Sequence, residues 1–164
     1  MDLYSDNELK RIKLRKEAND NLEEFFKDKR EKWNKNIEPL FEVLALEMGN
    51  PSNSKKVLEA QSLALSYKQR INDQINFFLN KRSNETAKLK KLKQEKFLHY
   101  AINFQVKTNM GEKRTLIEGH IAENQRAIET IDAYIDYLRD CSKNLESFGY
   151  SIKNMIELLN YLGR

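Results

Sequence analysis

The sequence predicts an all-α protein of long amphipathic helices, and three observations predict it. A third of the 164 residues are charged and 40% are apolar. That balance suits narrow apolar stripes on helices better than a wide globular core. Helix breakers are scarce, with five glycines and two prolines. Apolar residues recur at intervals of three and four along most of the chain, the period of one helix face.

The first helix is expected to start at Asp6, a good N-cap residue. Leu9, Ile12, Ala18, Leu22, Phe25/Phe26, Trp33 and Ile37 follow at roughly helical spacing. Pro39 interrupts the pattern because the residue before a proline resists the α region. A shorter apolar helix is expected from Leu40 to Met48. Gly49-Asn50-Pro51-Ser52-Asn53 is the clearest break: glycine can cap a helix and proline cannot continue one.

No glycine or proline occurs from Ser52 to Met110. Val57, Ala60, Ala64, Tyr67, Ile71, Ile75 and Phe78 keep the helical spacing. Arg82 and Glu85 then fall on the same face, before Leu89 and Leu92 resume it. The reading is either one helix from Ser54 to about Gln105, roughly 75 Å long at 1.5 Å per residue, or two with a kink at Arg82-Ser83-Asn84. Ile102-Asn103-Phe104-Gln105-Val106-Lys107 alternates and reads as a candidate short strand.

Gly111 opens the last region. Ile117, Ile121, Ile128, Ile131, Ile135, Leu138 and Leu145 follow a heptad rhythm, with Asn124 and Ser142 as polar exceptions. Isoleucine at seam positions favours defined, often higher-order, oligomers. The seam predicts a homo-oligomer larger than a dimer; the alternative is packing against the long helix of the same chain. Gly149 is expected to end this helix. A final short helix would carry Ile152, Met155, Ile156, Leu159 and Leu162, giving a helix-turn-helix C-terminus, with Ile152, Ile156 and Leu159 joining the assembly surface. Three segments result: residues 1–50, 51–110 and 111–164.

Composition bounds the function. Cys141 is the single cysteine, so no intrachain disulfide forms, and a cytosolic setting fits. No apolar run approaches a membrane span, and Met1-Asp2-Leu3-Tyr4-Ser5-Asp6 lacks signal-peptide character. From Thr115 onward, five cations face eight carboxylates, whereas the whole chain carries +4. A basic front and an acidic back suggest separate tasks.

Catalytic chemistry finds no foothold. His120 and Glu123 have a metal-ligating spacing, but a dinuclear carboxylate site needs two such motifs. Cys141 lacks the His and Asn/Asp pattern of a nucleophile, and there is no Gly-rich phosphate loop. The expectation is a protein that is not an enzyme and takes no metal or other cofactor.

The basic segment is more informative. Lys81, Arg82, Lys88, Lys90, Lys91, Lys93 and Lys96 are opposed by Glu85 and Glu95 alone, and Phe97, His99 and Tyr100 follow. Cations that track phosphates beside rings that stack on bases are what single-stranded nucleic acid requires. Those cations, with Phe97 and Tyr100, are the candidate DNA-binding residues; a plain solvated helix face is the alternative. Lys10, Arg11, Lys13, Arg15 and Lys16 form a second basic cluster.

The stretch Ile135-Asp136-Tyr137-Leu138-Arg139-Asp140-Cys141, followed by Leu145-Glu146-Ser147-Phe148-Gly149-Tyr150-Ser151-Ile152-Lys153-Asn154, resembles the UvsY-type recombination mediators of T-even-like bacteriophages. Gly149, Tyr150, Ile152 and Lys153 match that family's Gly-aromatic-x-Ile-Lys turn. Leu79-Asn80-Lys81 and the lysine run ending in Phe97-Leu98-His99-Tyr100 resemble its basic segment. The likeness spans roughly residues 65–162. It departs at His99-Tyr100-Ala101-Ile102, where the family has Tyr-Tyr-Ser-Gly, and at Phe148, where an arginine is common.

The resemblance implies a ring-like homo-oligomer that binds single-stranded DNA and contacts the phage single-strand-binding protein and a RecA-like recombinase. Such a mediator helps load the recombinase onto covered strands in the cytoplasm of an infected bacterium, without catalysis of its own. The alternative function is a coiled-coil scaffold or adaptor that binds only protein partners.

Overall fold

The computed structural model describes residues 5–47, 49–103 and 109–163. They form three long helices: α1 (Asp6–Phe41), α2 (Pro51–Leu98) and α3 (Met110–Leu162), with no strand among the described residues. One 3₁₀ turn, Glu42–Ala45, follows α1, and one π turn, His99–Asn103, follows α2.

Each helix start carries its own chemical signal. Ser5, not Asp6, caps α1: the Ser5 N–H donates to Glu8 Oε2 at 3.1 Å and the Glu8 N–H donates to Ser5 Oγ at 3.4 Å. This reciprocal capping box satisfies two of the backbone donors that a helix start leaves without partners. Asn109 and Glu112 repeat it on α3, at 3.0 and 2.8 Å, so that helix begins at Met110. At the head of α2, the Ser52 N–H donates to Asn50 Oδ1 at 2.9 Å, and Pro51 holds the first position, where its missing N–H costs nothing. Gly49 sits at φ 133°, which a side chain would resist.

Three expectations about breaks are corrected. Pro39 lies inside α1, which continues to Phe41. Of the apolar helix expected at Leu40–Met48, residues 42–45 form the 3₁₀ turn and are not buried, Leu46 is already extended, and Met48 lies outside the described residues. Most important, Gly149 does not end α3, which runs on to Leu162, so the C-terminus is not a helix-turn-helix. An interior glycine costs a helix about 1 kcal/mol. Its neighbours Phe148 and Ile152, both fully buried, return more than that, since burying one such side chain is worth ~1.5–3 kcal/mol.

Of the alternatives left open for the middle of the chain, α2 is continuous through Arg82-Ser83-Asn84. Ile102 and Asn103 belong to the π turn, and the remainder of the candidate strand, Phe104 to Lys107, lies outside the described residues.

The chain divides into two compact units, each drawing on all three helices: Met1–Phe26 with Phe78–Ala133, and Lys27–Phe77 with Tyr134–Arg164. In the first unit, Glu8 meets Lys96, Arg15 meets Glu85 and Phe26 meets Phe78, so α1 and α2 run antiparallel. Its interior is mixed. Tyr100, Ile117 and Ile121 form an apolar cluster with Leu89, Leu92 and Leu116. Asn19, 2% exposed, donates from Nδ2 to the Glu123 carbonyl oxygen at 2.6 Å and to Glu123 Oε2 at 2.8 Å. The face taken for Leu9 and Ala18 thus belongs to Glu8, Arg15 and Asn19.

The second unit has the drier core. Trp33, Ile37 and Leu40 of α1, Val57, Ala60, Ala64 and Ile71 of α2, and Tyr134, Leu138, Leu145, Phe148 and Ile152 of α3 are buried in it. Phe41 packs edge-on to Phe148 and Trp33 edge-on to Tyr67. Polar groups enter this core too: Trp33 Nε1 and the Tyr134 hydroxyl both donate to Gln74 Oε1, at 3.3 and 3.1 Å, and Arg30 Nε is buried with no hydrogen-bond partner among the described residues.

Candidate nucleic-acid interface

The site lies in the first unit, where the end of α2 and the start of α3 approach one another. On α2, residues 90, 93 and 97 are spaced by three and four, so Lys90, Lys93 and Phe97 share one outward face. All three are exposed, Phe97 by 53%. On α3, Lys113 is half-buried and Arg114 is exposed. Lys93, Phe97, Tyr100 and Ala101 from the α2 side, with Met110, Lys113, Arg114, Ile117 and Glu118 from α3, line a cleft of about 460 Å³. Lys90, Gln94 and Leu98 extend the Lys93–Phe97 face away from it.

The cations expected to hold DNA separate into two groups. Lys96 is withdrawn: it is paired with Glu8 and its side chain is 18% exposed. The Lys96 ammonium holds the Glu8 carboxyl down at about 2 through their hydrogen bond, against the opposing effect of burial. Arg82 is paired with Asp132. Lys88 donates to Glu85 at 2.9 Å, and Glu85 also takes Arg15. Burial pushes the Glu85 carboxyl up, but the hydrogen bonds from Lys88 and Arg15 outweigh it and keep the group below its ordinary value. Lys91 reaches Glu95 only at 4.0 Å across an exposed surface, a contact worth little in water. Lys81 is exposed. Lys90, Lys93, Lys113 and Arg114 form no ion pair among the described residues.

Tyr100 is corrected as a stacking residue. It is 3% exposed, and its hydroxyl is joined to His120 Nε2 at 2.7 Å. The spacing Leu89, Leu92, Lys96, Tyr100 already pointed inward; adjacency to the lysine run concealed it. Phe97, in contrast, is 53% exposed at the cleft. Lys113 and Arg114 are the residues the sequence reading missed. Their signal was two adjacent cations in the first turns of a new helix, at the end of the basic front half.

His120 and Glu123, three apart, line one cavity together with Glu8 and Lys96, but each is engaged by another partner. His120 is buried against Tyr100, and burial, then the Lys96 charge, lowers its pKa, so the ring is neutral at pH 7. Glu123 accepts from Asn19 and lies 3.6 Å from Arg126. Among the described residues no three His, Cys, Asp or Glu side chains gather where they could hold a metal ion, and no helix is long and apolar enough to cross a membrane.

The residues assigned to assembly are mostly spent inside the chain. Ile117, Ile121, Ile131, Ile135, Leu138, Leu145 and Ile152 are buried, and Ile128 is half-buried. Ile156 and Leu159 remain exposed, beside Leu158, Tyr161 and Leu162. With Val57 and Leu58, they border a shallow groove in the second unit.

Comparisons with models of known protein families, with curated proteins and with solved structures give no match to this chain.

Proposed function

We propose that the protein is a single-stranded DNA-binding recombination mediator that uses Lys90, Lys93, Phe97, Lys113 and Arg114 to hold the strand. The observation that carries the reading is the set of four cations that form no ion pair among the described residues, beside one exposed aromatic ring. Such cations gain most from phosphate contact because no internal ion pair has to be broken. The ring supplies a surface that any base can stack on. In this reading the chain assists a RecA-like recombinase on strands covered by single-strand-binding protein, as its C-terminal likeness to phage mediators suggests, and performs no catalytic step. Self-association into a homo-oligomer falls to the exposed apolar residues around Ile156, Leu159 and Leu162, because the isoleucine seam is committed internally.

The test is the salt dependence of binding to a single-stranded oligonucleotide. Each phosphate contact contributes a slope of roughly −0.7 in log affinity against log salt. Lys90→Ala with Lys93→Ala should therefore shallow the slope by about 1.4. Lys96→Ala should leave the slope unchanged and lower stability, because it strands the Glu8 carboxylate. The opposite pattern would move the interface to the inner, paired cations.

The exposed apolar end of α3 also favours a second reading, a scaffold that binds only protein. That protein would show no affinity for oligonucleotides at moderate salt.

A further inference from the structure

We infer that the cleft between the end of α2 and the start of α3 admits a base of the bound strand and that Glu118 gives it a preference for guanine. The inference rests on the strand-binding reading above. Lys93, Lys113 and Arg114 make the cleft attractive to phosphate, and Phe97 and Met110, 53% and 63% exposed, give it an apolar lip. One carboxylate, Glu118, faces the same space. It forms no ion pair among the described residues, although Arg114 lies four residues before it on α3. The cation-first order at this spacing is the less favourable one on a helix. A carboxylate repels phosphate and can only accept hydrogen bonds. A strand held by the three cations can meet it only by turning a donor edge inward.

Bases differ sharply in the edge they offer. In a single strand the pairing edge is free. Guanine presents two adjacent donors, N1–H and N2–H, which match the two oxygens of a carboxylate as an arginine fork does. Cytosine and adenine present one amino donor beside an acceptor nitrogen. Thymine presents a single N–H between two carbonyl oxygens, which repel a carboxylate on both sides. The order expected is guanine first, cytosine and adenine next, thymine last. Phe97 beside the cleft stacks on whichever base enters, so it contributes affinity without choosing among them.

The experiment compares a thymine homopolymer with an oligonucleotide of equal length in which isolated guanines interrupt thymine, binding the full chain at one fixed salt. The guanine-bearing strand should bind about fivefold more tightly, the lower end for a bidentate base contact in an open site. Glu118→Gln should reduce that ratio to near one without weakening binding to thymine. Phe97→Ala should weaken both strands and leave the ratio standing. Equal binding of the two strands by the unaltered chain overturns the guanine site while the strand-binding reading survives. A ratio that Glu118→Gln does not change overturns it as well. Absence of binding to either strand overturns both. An acidic peptide bearing phenylalanine is the competing occupant; if it binds and loses affinity in Phe97→Ala while neither strand does, the cleft is a protein site.

Discussion

His120 shows how one side chain ties the candidate interface to the interior. Its hydrogen bond fixes Tyr100 in the inner wall of the cleft, and its burial keeps it neutral. Glu8 favours its protonation, while burial, Lys96 and His99 oppose it, and opposition wins. The unfolded chain takes up this proton near 6.5 and the folded chain only at lower pH. Between those two values the unfolded state binds more protons, so stability falls as pH drops below about 6.5. Glu8 adds a second, more acidic window. Its carboxyl is lowered from 4.5 to about 2, so its contribution is complete above 4.5 and disappears as pH falls toward 2. Thermal melting against pH should show both declines. His120→Gln, which can still bond Tyr100 but cannot take the proton, should flatten the first decline alone. A melting curve for His120→Gln that tracks the unaltered chain from pH 7 to 5 would place the acid sensitivity elsewhere.

At the scale of helices, the two glycines that flank α2 and punctuate α3 make opposite predictions. Gly49 sits at φ 133° and Gly149 in ordinary helical backbone, with nothing within 4 Å of a Cβ at either. Gly149→Ala should stabilise by ~0.5–1 kcal/mol, the ordinary helix-interior difference. Gly49→Ala should destabilise, because the strain of a positive φ exceeds any entropic gain. Had Gly149 closed a helix, as its pairing with Tyr150 suggested, the first change would destabilise too, so melting of the two variants separates the readings. The same pair shows what was legible in the sequence. The face of α2 from Val57 to Phe78 was legible because a three–four spacing of apolar residues has only one inward solution. Gly149 misled because a local stop signal is worth about 1 kcal/mol, and burial of Phe148 and Ile152, set by partners distant in sequence, overrides it. Glu8, Arg15, Asn19 and Lys96 escaped for the converse reason: polar residues on an inner face carry no periodic apolar signal, and only their ion pairs and hydrogen bonds reveal them. The basic-aromatic surface was half legible. Lys90, Lys93 and Phe97 stood out by spacing, but which cations are already neutralised depends also on α1 and α3, which supply Glu8 to Lys96 and Asp132 to Arg82.

For the molecule as a whole, the proposed function requires that weak cationic contacts together hold a strand. Four cations on one chain, Lys113 half-buried and the other three exposed, are individually screened by salt. Repetition around an assembly makes later contacts intramolecular and can raise affinity for a long strand by about 10²–10⁴. The sequence placed that assembly on the isoleucine seam. The seam is buried within the chain, so Ile135→Asp should unfold the protein, since an unpaired carboxylate in place of a fully buried side chain is among the costliest single changes. Ile156 and Leu159 are 39% and 37% exposed, and aspartate there stays hydrated. Ile156→Asp with Leu159→Asp should therefore leave melting nearly unchanged while dissociating the proposed assembly in sedimentation. It should also lower affinity for a long single strand far more than for an oligonucleotide short enough to engage one chain. The comparison of strand lengths carries the argument, because the substituted residues lie on the second unit and Lys90, Lys93, Phe97, Lys113 and Arg114 on the first. A dissociated variant that kept full affinity for the long strand would show that each chain binds alone. A variant that remained assembled would move the contact to another surface, with the exposed Leu63 and Leu65 of α2 the next to replace.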